Sequence, residues 1–103
     1  MEKDTEKTKV IFRVETSKRW RGNVIAIFPE EMGNTWDAST CQVYESDGQH
    51  GYGDYNAMIE MTVPATPSEY AGLKTELESM DYDLEVAQRA TRADYLKRVA
   101  QMR

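Results

Sequence analysis

The only histidine of the chain, His50, sits in the segment Gly48-Gln49-His50-Gly51. One histidine and one cysteine, Cys41, are too few for a standard structural zinc site, which takes four such ligands. A Ser-His-Asp triad needs a nucleophile motif, and none lies near His50. The segment lacks the Lys-Ser/Thr of a Walker motif and the spacing of a dinucleotide fingerprint. What it does offer is two glycines around two polar side chains. Glycine lets the backbone take positive φ and approach a ligand closely, so its amides suit an anion; the same freedom serves a plain turn. His50 likewise reads either as a hydrogen-bonded loop residue or as a ligand contact.

Other chemistry-bearing residues divide the same way. Seven acidic residues, from Glu60 to Glu85, stand against one base, Lys74. Most fall at exposed helix or strand positions and read as a solvated face rather than a catalytic carboxylate pair. The stretch from Ala87 onward reverses the balance, with Arg89, Arg92, Lys97, Arg98 and Arg103 against Asp94. Arg92 falls in the first turn of a predicted helix, where free N–H groups and the helix dipole favour an anion. An arginine there holds a phosphate bidentately or pairs with an acidic neighbour. Tyr70, Tyr82 and Tyr95 read as core or interface before base-stacking platforms. Trp20, between Arg19 and Arg21, reads as a contact surface.

The elements that position these residues follow from periodicity. Thr8 to Val14 alternates Val10, Phe12 and Val14 against Ile11 and Arg13, a strand pattern. Val24 to Phe28 is apolar on both faces, closed by Pro29, and reads as the more central strand. The two make a hairpin across the polar turn Ser17 to Gly22. Glu30 to Thr40 has no clear pattern, and Cys41 to Glu45 alternates again. Ser46 to Gly53 reads as a glycine-rich turn, Asp54 to Thr62 as ambiguous, and Val63 to Ala65 as a connector. Thr66-Pro67-Ser68-Glu69 is a capping box with proline at the first helical position. Tyr70, Leu73, Leu77 and Met80 then mark a helix ending near Asp81. Tyr82 to Ala87 alternates as a fourth strand. Thr91-Arg92-Ala93-Asp94 opens a last helix with Tyr95, Leu96, Val99 and Met102 on one side. The expected fold class is α+β: a small, mostly antiparallel sheet with two C-terminal helices packed on one side.

At 103 residues there is room for one domain with one core. Residues 1–7 read as a flexible leader and 8–103 as a single ligand-binding domain. A net charge of −5 disfavours binding to DNA or RNA backbones, where lysine and arginine supply the affinity. No apolar run reaches the roughly 18 residues needed to span a bilayer. The polar start is not a signal peptide, so a cytoplasmic location is expected.

Four pieces together resemble a known family. They are TKVIFR from Thr8, NVIAIFPE from Asn23, GQHG from Gly48 leading to Asp54-Tyr55, and PATPSEY from Pro64 through Tyr82-Asp83-Leu84 to Ala90-Thr91-Arg92. Their order and spacing are similar to those of the first family of Thoeris anti-defence proteins, over about Thr8 to Arg92. That resemblance implies a non-enzymatic sponge without a cofactor. Such proteins sequester, intact, the cyclic ADP-ribose signal of a bacterial immune enzyme inside the infected cell. It also implies a homo-oligomer, from dimer to hexamer, with cyclic di- or trinucleotides held at a separate site in some members. By position, Leu73, Asp83 and either Arg92 or Arg98 are the implied pocket residues. The residues themselves add Gln49, His50 and Gly51 as expected ligand contacts, whose glycine-freed amides would cradle a phosphate together with the terminal arginine. Two departures stand out. Asp81 replaces an expected glycine after the main helix, and Asp83 replaces an expected uncharged polar residue, where a carboxylate would repel phosphate.

Two other function classes stay open at this level. One is an interaction inhibitor or adaptor that blocks a host defence enzyme directly. The other is a small hydrolase or cyclase using His50.

Overall fold

The computed structural model describes residues 7–16, 22–46 and 48–102. Most of the expected leader, and the Ser17 to Arg21 part of the first turn with Trp20, lie outside the described residues. The elements are β1 (Thr8–Glu15), β2 (Val24–Asn34), β3 (Asp37–Glu45), β4 (His50–Asp54), α1 (Tyr55–Glu60), β5 (Thr62–Pro64), α2 (Pro67–Ser79), β6 (Leu84–Ala87) and α3 (Arg92–Val99).

The class is the expected one, α+β. The sheet runs in the order β4-β3-β2-β1-β5, each neighbour antiparallel, with β2 in the middle. Strand β6 pairs parallel to β1. It shares the β1 edge with β5: β6 covers Thr8 to Ile11 and β5 covers Arg13 to Glu15. The region without a clear pattern, Glu30 to Thr40, is a bulged continuation of the β2–β3 hairpin. Register shifts fall between Phe28 and Met32 and again before Asn34. Pro29 sits in the first irregularity, where its missing N–H is tolerated. Part of the glycine-rich segment is also strand: His50 pairs with Tyr44 and Gly51 with Val43.

Side-chain alternation gives the sheet two apolar faces. Val10, Phe12, Val14, Ala26 and Phe28 pack under Leu73 and Leu77 of α2. Tyr70 stacks on Phe12 with ring centroids 4.3 Å apart, and Tyr82 on Phe28 at 5.5 Å. Both tyrosines are therefore core-facing. On the other face, Ile11, Ile25, Ile27, Cys41 and Val43 pack under Tyr55, Met58 and Ile59 of α1. Helix α3 lies on this second face as well, because its Asp94 binds Lys9 and its Arg98 approaches Tyr55. The two C-terminal helices thus divide the faces between them instead of packing on one side as expected, since β6 carries the chain across the β1 edge.

Cys41 is fully buried on the second face, and burial pushes its thiol up to about 11. The thiolate is the nucleophile, so native protein at pH 8 should resist alkylation by iodoacetamide. Mass spectrometry should find one added group only after denaturant opens the core.

Helix α2 ends as its sequence suggests, with one strained position. Thr66 and Glu69 close the capping box at its start. At its end the Tyr82 N–H reaches Leu77 O at 3.3 Å and the Asp81 N–H reaches Glu78 O at 3.1 Å. This is a Schellman arrangement, and it requires the residue after the cap to be left-handed. Asp81 takes that conformation, with φ 72°. A non-glycine residue there carries a penalty, so Asp81→Gly should stabilise the domain by about 1 kcal/mol. Urea melts of the two proteins check this.

Candidate functional site

The hollow with the most binding chemistry lies between α1, α3 and the start of β3. Asp54 caps α1 by accepting from the Ala57 N–H at 2.9 Å, which turns the chain so that Tyr55 covers the second face. The Tyr55 hydroxyl in turn accepts from the Ala90 N–H at 2.8 Å, tying down the segment that enters α3. Thr91 and Asp94 close the capping box of that helix. Asp94 takes the Thr91 N–H at 2.9 Å on one oxygen and Lys9 Nζ at 2.9 Å on the other. Burial alone would push this carboxyl up. The Lys9 and Thr91 bonds and the Lys9 charge outweigh that and hold it below the usual carboxylate range.

One turn further on, Arg98 is buried on the same side of α3. Its Nε donates to Ala38 O at 2.7 Å and its Nη1 to Pro29 O at 2.5 Å. Two carbonyls therefore fix the guanidinium, while part of its five-donor fork stays uncommitted. The guanidinium carbon lies 6.0 Å from the Tyr55 ring centre and 5.5 Å from that of Tyr95. Ser39, Asn56, Ala90 and Thr91 complete the walls with those three side chains, around about 240 Å³. The lining holds no carboxylate, histidine or cysteine. The arrangement offers an anchored cation, two aromatic rings and small polar groups, a combination suited to an anionic ring system. It offers no ordinary general base.

The sequence-predicted residues fall in four places. Arg98 lines the hollow. Arg92 is exposed in the first turn of α3, next to Thr91 but outside the lining. Asp83 is exposed and pairs with Lys7 at 3.2 Å, so its charge is partly met. Leu73 is a core side chain of the first face and is not among the residues that line the hollow. Gln49, His50 and Gly51 lie where β3 turns into β4. Pairing puts His50 against Tyr44 and Asp54 against Thr40, so the turn is about 13 Å of strand away from the hollow.

That turn is a hairpin and not an open anion loop. The Gly48 N–H is spent on Glu45 O at 2.9 Å, and Gly51 lies within the ladder opposite Val43. His50 stands edge-on to the Tyr44 ring, centroids 4.6 Å apart, while the Tyr44 hydroxyl donates to Glu76. The exposed side chains of Gln49 and His50 remain accessible at the edge.

Sequence reasoning missed Ser39, Tyr55 and Asn56. The signal for the last two was Asp54, an N-cap residue at the head of the ambiguous segment; Ser39 had none. Among the described residues no group of three His, Cys, Asp or Glu side chains converges as a metal site. No helix there is long and apolar enough to cross a membrane. Comparison with protein-family models, curated proteins and solved structures gave no match.

Proposed function

We propose that this protein binds and sequesters a cyclic ADP-ribose-type nucleotide without turning it over, in the bacterial cytoplasm, as a sponge against anti-phage immune signalling. The observation that carries this is the carbonyl-anchored Arg98 between Tyr55 and Tyr95 at the wall of a hollow lined without a carboxylate or histidine. A pyrophosphate needs fixed donors and a flat base needs an apolar face, and both occur there. The resemblance read from the sequence supplies the signalling context. Gln49 and His50 stand as the candidate contacts of a separate cyclic di- or trinucleotide site.

Calorimetry against cyclic ADP-ribose isomers and cyclic di- and trinucleotides tests the proposal. Asn56→Asp places a negative charge on the wall and should weaken the ADP-ribose ligand at least tenfold. His50→Ala should affect only cyclic oligonucleotides. Recovery of unaltered ligand after heat denaturation is expected, and a cleaved product sinks the sponge reading. No heat with any of these nucleotides sinks it as well.

A second reading, direct blockade of a host enzyme, is favoured by Trp36, which is 77% exposed at the tip of the β2–β3 hairpin. If that reading holds, Trp36→Ala abolishes immune suppression in infected cells while Asn56→Asp leaves it intact.

A further inference from the structure

The hollow has a fixed hydrogen-bond polarity, set by where the Ser39 proton goes. Ser39 Oγ donates to Asp37 Oδ1 at 2.6 Å, and the Ser39 N–H donates to the same oxygen at 3.0 Å. The hydroxyl bond first, and the N–H bond after it, hold the Asp37 carboxyl below the usual carboxylate range. It is therefore ionised at neutral pH, and an ionised carboxylate only accepts. The single proton of the Ser39 hydroxyl is thus committed, and a lone pair is what remains for a ligand. Strand alternation puts Ser39 on the same face as Cys41, where it lines the hollow.

The other polar walls differ. Arg98 only donates. The Tyr55 hydroxyl accepts from the Ala90 N–H, so its own proton is left for an acceptor. Thr91 is taken up by the capping box of α3. The Asn56 amide serves either way round, so it imposes no polarity. Donors thus gather around Arg98, and Ser39 is the wall residue that has to accept. The two are neighbours, because Ala38 O, which holds Arg98 Nε, belongs to the residue before Ser39. The negative charge of Asp37 stands behind Ser39 and turns an anion away from that end, toward the guanidinium.

We propose that Ser39 is a specificity-determining residue of the hollow, accepting from a hydroxyl or amine of the ligand beside the anionic group that Arg98 holds. The proposal rests on the nucleotide reading above and narrows it to a phosphate ester that carries a donor next to its phosphate. A nucleotide meets that demand through a ribose hydroxyl or a base amine. A fully ionised pyrophosphate offers Ser39 only acceptors, so lone pair would face lone pair. A site built to pair a ligand O–H or N–H rejects the analogue that lacks it, because its own polar group is then left unpaired. Ser39 is half-buried, so the expected loss is about tenfold and not the far larger factor of a sealed pocket.

Calorimetry on a cycle of ligand and residue changes tests this. The probes are the cyclic ADP-ribose isomer that binds wild type most tightly and analogues of it, each lacking one ribose hydroxyl or the hydrogens of the adenine amine. Ser39→Ala should weaken the parent isomer about tenfold. One analogue should bind wild type about tenfold more weakly than the parent, yet bind Ser39→Ala as well as the parent does. A merely disturbed turn would instead weaken every ligand by one common factor. Ser39→Ala keeps the main-chain bond to Asp37, and an unchanged circular dichroism spectrum verifies the fold. Wild-type affinity in Ser39→Ala overturns the proposal, and so does a cycle in which every analogue loses the same factor on both proteins. Either result leaves the sponge reading standing. A wild type that binds no isomer overturns both, since Ser39 then has no ligand to accept from.

Discussion

Asp94→Ala should cost about 3 kcal/mol and lower the melting temperature by on the order of 15 °C. Two losses combine. The capping box of α3 loses its acidic member, and Lys9 loses a carboxylate 2.9 Å away. Asp94 is almost fully buried, so breaking the pair weighs more than losing a surface bridge, although the part-exposed Lys9 can rehydrate. Against a total stability of about 5–10 kcal/mol for a domain of this size, the variant stays folded but marginal. Asp94→Asn keeps the shape and one acceptor and should cost about half as much.

The same carboxylate gives stability a pH signature. Its folded pKa lies below the ordinary value, so the folded state favours the ionised form. The contribution is full above the unfolded carboxylate value of about 3.9 and is lost as pH falls through the lower, folded value. Wild type should therefore lose stability on acidification more steeply than Asp94→Ala. Thermal melts of both proteins between neutral and strongly acidic pH give the comparison. Parallel curves would remove Asp94 from the account.

Arg98→Ala carries the second large effect. It strips hydrogen bonds from Ala38 O and Pro29 O and takes the cation from the hollow. Leaving two carbonyls short of a donor should cost about 2–4 kcal/mol, less where water enters. Nucleotide affinity should fall at least a hundredfold, because the charge-assisted donors are gone. Arg98→Lys separates the roles. Lysine keeps the charge but cannot span two carbonyls and an anion at once, so affinity should drop more than tenfold while most stability returns. A lysine variant with wild-type affinity would mean that only the charge matters.

How much of this was legible in the sequence depended on the kind of signal. The capping boxes at Thr66 and Thr91 located both long helices, because a cap is a local hydrogen-bond pattern among three or four residues. The alternation in Val10 to Val14 and the apolar run Val24 to Phe28 located the first strands for the same reason. Strand β4 was hidden because Gly51 and Gly53 have no side chains to alternate, and its Tyr52 is exposed. The bulge after Phe28 broke the period that would have extended β2 to Asn34. The site was harder. Arg98 was named, but its role depends on Ala38 and Pro29, 60 and 69 positions away. The stripe of α3 was legible as a stripe, while its outward direction was not, because the inward side is held by polar bonds rather than apolar contact.

The placement of β6 sets an order of events during synthesis. Strand β1 leaves the ribosome well before β6, so one half of its outer edge waits for Leu84 to Ala87. Until then Val10 and Ile11 sit on an open strand edge, a template for mispairing with other chains. The domain closes only when distant parts of the chain meet. Refolding should accordingly take milliseconds to seconds, slower than for a helical bundle of equal length.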